Sequence, residues 1–247
     1  FPGLNLSWEM IEGLAKHNGP ITAPSWAMRE IDALFPLELT SWASLEAQVA
    51  ALSDDIAYDN HDIDDGLRAG ILSLEQMLEV PLVRRCWDKV KARHADLPDE
   101  RLVRELIREQ IGLMVNDLHE TTRANLATLK LLDAELSAIR AAGQAVAAFS
   151  DEMREDERVL KRFMYANLYH HPLQLAAADR AKIIVTDLFE AYQGDPALMG
   201  TAWDASCSEQ EPYRSRHIAD YIAGMTDRFA EHAHREIYGN KLDRRAH

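Results

Sequence analysis

Cysteine is nearly missing from this sequence. Cys86 and Cys207 are too few and too far apart for a disulfide framework or a cysteine-based metal site. They carry no supporting base and read as structural, and a reducing cytoplasm is the expected setting. No run of about 18 apolar residues occurs, which argues against a transmembrane helix and a membrane partner. The opening residues, FPGLNLSWEM, lack the basic and apolar regions of a secretory leader. Internal repeats, low-complexity tracts, obvious linkers, a glycine-rich phosphate loop and a Ser/His/Asp set are all absent. Positive charge is scarce, with 27 Lys and Arg against 41 Asp and Glu, a net charge of −14. General binding to a nucleic-acid backbone needs cations that displace counterions, so this balance argues against it. It suits a metal enzyme whose carboxylates hold cations. A phosphate-bearing substrate would then need metal or a local basic pocket to offset the field.

What is present is helical periodicity almost throughout, with no convincing alternating strand. Ser7 opens a first helix, SWEMIEGLAKH, which Asn18-Gly19-Pro20 stops. A shorter helical segment lies around SWAMREIDALF. A long helix is expected from about Ser44 to Ala69, ending at Gly70. VPLVRRCWDKVKARH forms another, ending before Leu97-Pro98. Residues 99–141 read as one or two long helices starting at Asp99-Glu100, and the segment 151–169 follows, broken by His170-His171-Pro172. PLQLAAADRAKIIVTDLFEAYQ is amphipathic and stops at Gly194-Asp195-Pro196. Residues 200–213 read as an irregular polar loop, and RSRHIADYIAGMTDRFAEHAHREIY as one last helix. The expectation is an all-α chain, a compact multi-helix bundle with residues 1–247 in a single domain.

One stretch of the third helix stands apart. SDDIAYDNHDIDD, residues 53–65, holds six aspartates. At 100° per residue with Asp54 at zero, Tyr58 lies at about 40°, His61 at about −20°, Asp65 at about 20° and Asp62 at about 80°. Val49, Leu52, Ile56, Ile63 and Leu67 gather on the opposite side, between about 160° and 220°. A solvated face is the ordinary explanation of such a stripe. One to two turns earlier, however, the same sector holds Ala47, Ala50 and Ala51, small residues that let another backbone approach. A carboxylate stripe covered on both sides would line a cleft and call for a cation. Asp55, Asp59 and Asp64 lie off the stripe's centre and read as flank or surface charge, while Asp65 stays open. A calcium loop of the EF-hand type does not fit, because the Gly66 register would demand oxygen ligands at His61 and Ile63 and a closing Glu at Leu72.

DDIAYDNHDIDDGLRAG resembles the deoxyguanosinetriphosphate triphosphohydrolase-like branch of the HD-domain phosphohydrolases. GLNLSWEMIEGLAKHNGP, VLKRFMYANLYHHP and RHIADYIAGMTDRFAEH fit the same family, so the resemblance spreads over most of the chain. It implies an all-helical, metal-dependent enzyme that cleaves a deoxynucleoside triphosphate into deoxynucleoside and inorganic triphosphate. The family's metal site uses a His, a His-Asp pair and a distant Asp, which is followed by a Tyr four residues on and another Asp eight residues on. Asp54, Tyr58 and Asp62 meet that last pattern. By resemblance, Asp54 ligates a divalent cation (Mg, Mn or similar), Tyr58 faces the phosphates and sugar, and Asp62 accepts a hydrogen bond from the 3′-hydroxyl. Lys16 matches a family lysine that approaches the polyphosphate.

The family's first His and His-Asp pair are expected upstream of Phe1, which leaves no catalytic residue among those given. His61-Asp62 is no substitute, since it sits on the wrong helix and its Asp is taken by the sugar. The chain reads as the C-terminal part of a longer enzyme, incomplete at its N-terminal side and not expected to hold metal tightly or catalyse alone. Homo-oligomers are common in the family. The alternatives are a catalytically dead nucleotide-binding or regulatory module, and a plain scaffold bundle with a soluble acidic face. Among the remaining candidates, His17 reads as a helix-terminal histidine serving carbonyls in preference to a cleft group. His119 and Glu120 read as surface or interhelix groups sooner than contacts to a nucleobase. His170-His171 read as a turn, and Lys161 and Arg162 as surface. His232 and His234, two apart, do not share a helix face. Tyr221 and Asp227 suit packing or capping.

Overall fold

A computed structural model describes residues 4–239. Its regular elements are all helices, with no strand among the described residues, as the periodicity requires. The chain folds as two compact units, Phe1–Leu168 and Tyr169–His247.

In the first unit, α1 (Trp8–Ala15), α2 (Trp26–Leu34) and α3 (Leu45–Arg68) each start where a serine precedes an apolar-periodic run. Ser7, Ser25 and Ser44 accept from the backbone N–H of Met10, Met28 and Ala47, giving each helix a partner for one of its first free N–H groups. Gly70, at φ +66°, ends the third helix in a left-handed conformation that suits glycine. The short α4 (Leu74–Met77) follows inside a capping box of Ser73 and Gln76. Four residues carry too little periodicity for it to show in the sequence. Then come α5 (Pro81–Arg93), α6 (Asp99–Thr128), α7 (Leu136–Arg140) and α8 (Asp151–Met164), the last continuing into one π turn at Tyr165–Tyr169.

The core of this unit gathers on α3. From α3, Ile56 and Ile63 are buried, and from α6, Leu102, Leu106, Gln110, Met114, Leu118 and Thr122 are buried, a row every fourth residue. The two helices run antiparallel, with Asn60 Nδ2 3.5 Å from Met114 Sδ. On the other side α1 runs parallel to the first half of α3. A Cβ placed on Gly13 would stand 3.2 Å from the Ala47 methyl, so this contact is a close backbone approach of the kind the alanine sector allows.

In the second unit, α9 (Pro172–Gly194), α10 (Thr201–Ser206), α11 (Tyr213–Ala223) and α12 (Asp227–Tyr238) close over Ile184, Leu188, Tyr192, Met199 and Ile218. Two departures from the sequence expectation occur here. After a 3-10 turn at Pro196–Met199, α10 fills part of the stretch 200–213 read as irregular. The last helix is two helices, because Thr226 accepts from the Phe229 N–H and starts a new one after Gly224. Tyr221 packs edge-on against Tyr192 at 5.3 Å between ring centres. His234 is buried and its Nε2 lies 2.8 Å from Asp187 Oδ2, while His232 faces Glu236 at 3.5 Å. His171 caps α9 by accepting from the Leu173 N–H, in keeping with its reading as a turn residue. Among the described residues no helix is long and apolar enough to cross a membrane.

Candidate functional site

α3 is unbroken from Leu45 to Arg68, so the angular relation of Asp54, Tyr58 and Asp62 is realised on one helix. Its neighbours divide its circumference. α6 takes the apolar side through Asn60 and the groove of about 450 Å³ that Leu45, Val49 and Ser53 form with Leu118, His119 and Leu126. α8 approaches Asp55 through Lys161. α1 covers the alanine sector and stops level with Asp54. Beyond that level Tyr58 stands 62% exposed, and Asp62 is half-buried. The stripe is therefore covered over its first half and open over its second.

At the boundary, His17 Nε2 lies 3.7 Å from Asp54 Oδ2, both side chains about half exposed. The turn that follows α1 thus presents His17 to the carboxylate, where the sequence favoured a helix-terminal role serving carbonyls. His17 and Ser7 also border a groove of about 420 Å³ between α1 and α3, along with Gly13 and Ala47.

Lys16 points the other way. Its ammonium is completely enclosed, 3.0 Å from Glu12 Oε1 and 3.0 Å from Ser41 Oγ. Glu12 is itself fully buried and receives a two-pronged contact from Arg140, with Nε to Oε1 at 2.8 Å and Nη2 to Oε2 at 2.8 Å. Arg140 in turn lies over the Trp8 ring at 4.9 Å. Burial pushes the Glu12 carboxyl up, but hydrogen bonds from Arg140 and Lys16 outweigh it and hold the group below its ordinary value.

Asp59 is the residue that the sequence misplaced. Read as flank or surface charge, it is 4% exposed, and its Oδ2 is enclosed without a hydrogen-bond partner. It sits three residues after buried Ile56 and four before buried Ile63, a spacing that puts it on the core side of α3. Burial pushes its carboxyl from 3.8 up to about 7; Lys161 opposes the shift, and Glu157, Asp55 and Asp62 add to it. Lys161, read as surface, is drawn instead to Glu157 at 2.6 Å and Asp55 at 3.4 Å. Because the folded state holds the Asp59 proton more tightly, stability falls as pH rises from about 4 to about 7. Asp59→Asn keeps the shape and removes that cost. The variant should match the parent near pH 4 and exceed it by roughly 2–4 kcal/mol at pH 8 in urea melts. Parallel pH profiles for the two proteins would contradict the assignment.

The Asp54 carboxylate at the head of the stripe suits a hard or borderline divalent ion. Among the described residues, no group of three or more His, Cys, Asp or Glu side chains could hold a metal. Asp54 fits as one ligand of such a site and does not make a whole one. Cys86 takes no part, since it is buried and burial pushes its thiol up to about 11.

Residues 147–236 match the family described as a phosphohydrolase-associated domain. The chain is similar to the deoxyguanosinetriphosphate triphosphohydrolase-like protein of Brucella anthropi, with 45% identity over 98% of this chain and 62% of the relative. It is similar to the protein of the same description from Sinorhizobium medicae, with 43% identity over 99% of this chain and 63% of the relative. The chain thus spans about three fifths of the length of the curated relatives it matches. Along nearly all of its residues the chain is thus similar to deoxyguanosinetriphosphate triphosphohydrolase-like proteins, and its residues 147–236 match a phosphohydrolase-associated domain.

Proposed function

We propose that this chain supplies the substrate-contacting side of a metal-dependent deoxynucleoside triphosphate triphosphohydrolase, which releases deoxynucleoside and inorganic triphosphate. The observation that carries the reading is the open half of the α3 stripe, where Asp54, exposed Tyr58 and Asp62 follow at four-residue steps. Asp54 contributes one ligand to a divalent cation, the rest coming from sequence outside this chain. Such a cation supplies Lewis-acid polarisation and an activated water. The Tyr58 phenol can donate to a phosphate oxygen, and the Asp62 carboxylate can accept from the sugar 3′-hydroxyl. Lys16 faces Glu12 and Ser41 and not the stripe, so positive charge beside the polyphosphate comes from the cation. A strongly acidic chain needs such cations beside a polyanion. The reading includes a cytoplasmic homo-oligomer that engages neither membranes nor nucleic acid in general.

The test is incubation of the full-length protein with each deoxynucleoside triphosphate and Mg or Mn, with inorganic triphosphate resolved by anion exchange. Release in at least one combination is expected. Nucleotide binding without release in any would favour a dead regulatory module instead, and neither binding nor release would leave a scaffold.

A further inference from the structure

His17 has no role in the reading above, yet the fold goes to some length to place it. Three contacts fix the last turn of α1. Gly13 sits against Ala47 closely enough that an added Cβ would stand at 3.2 Å, which sets the α1–α3 separation. One residue before the histidine, Lys16 is anchored by Glu12 and Ser41, and Glu12 by Arg140. Two residues after it, Gly19 turns the chain at φ +97° with its open side against the Trp42 ring, and Ile21 N–H then bonds the Leu39 carbonyl at 2.7 Å. These anchors fix the His17 backbone beside Asp54, and its ring Nε2 lies 3.7 Å from Asp54 Oδ2. That is about half an ångström beyond hydrogen-bond length, a gap that a small rotation of either half-exposed side chain closes.

A carboxylate that ligates through one oxygen leaves the other free to swing, and an outer donor on that second oxygen fixes the orientation of the first. We infer that His17 is a positioning residue for Asp54, its ring N–H holding the carboxylate oxygen that does not face the cation. The inference rests on the proposed ligand role of Asp54. It does not depend on hydrolysis, because orientation is read directly in metal affinity.

The experiment measures manganese affinity of the full-length protein by electron paramagnetic resonance. His17→Ala should weaken binding about 10–100-fold. His17→Asn, whose amide keeps an N–H, should recover part of the loss. In an Asp54→Asn background His17→Ala should change nothing further, which a merely structural histidine would not reproduce. Circular dichroism verifies that each variant keeps its helices. Equal affinity of the parent and His17→Ala overturns the inference and leaves Asp54 as a ligand. A parent protein with no manganese site overturns both.

Discussion

Glu12→Ala should destabilise the first unit by about 3–5 kcal/mol, because it leaves the enclosed Lys16 ammonium facing Ser41 and an empty space. That is a large share of the 5–15 kcal/mol by which native domains are ordinarily stable. The effect comes from orphaning a charge, and the ion cluster itself need not stabilise much. Replacing Glu12, Lys16 and Arg140 together by Leu, Met and Leu should therefore cost far less than Glu12→Ala alone. Chemical denaturation of the three proteins decides the point, and additive losses across the cluster would refute it. Since the folded-state value of Glu12 is depressed, its contribution is present above the ordinary glutamate value of 4.5 and lost as pH falls through the lower one.

Asp54→Ala in the full-length protein should lower metal-dependent triphosphate release by about three orders of magnitude or more, the scale of losing several kcal/mol of charge stabilisation. The fold should not notice. The Asp54 side chain is half exposed, and its removal relieves repulsion among the six aspartates of residues 53–65. Steady-state release at saturating metal, paired with far-ultraviolet circular dichroism, separates the two effects. Activity that survives the substitution would remove Asp54 from the proposed metal site.

Much of this could be read from the chain because it is encoded locally. Ser7, Ser25 and Ser44 mark helix starts within four residues of the N–H groups they accept from. Ala47 and Ala50 announce a close neighbour through size alone. What escaped depends on distant partners. Lys16 looks available in GLAKHN, and its enclosure is completed by Ser41 and by the Arg140 that grips Glu12 from 128 positions away. Asp59 looks like one acid among six, and both its enclosure and the charges of Lys161 and Glu157 that bear on it come only with the folded chain. Its spacing from Ile56 and Ile63 is a usable signal for the core side, outweighed in the sequence by the neighbouring acids.

The parallel run of α1 along α3 has a further consequence. Since α1 ends one residue before Lys16, its length acts as a ruler for the mouth of the site. One added turn, about 5.4 Å, would carry it over Asp54 and onto Tyr58, while one turn fewer would bare Ala50 and Ala51. Asn18-Gly19-Pro20 is the mark at which that ruler is cut, and aperture can be tuned there without touching a residue that meets substrate.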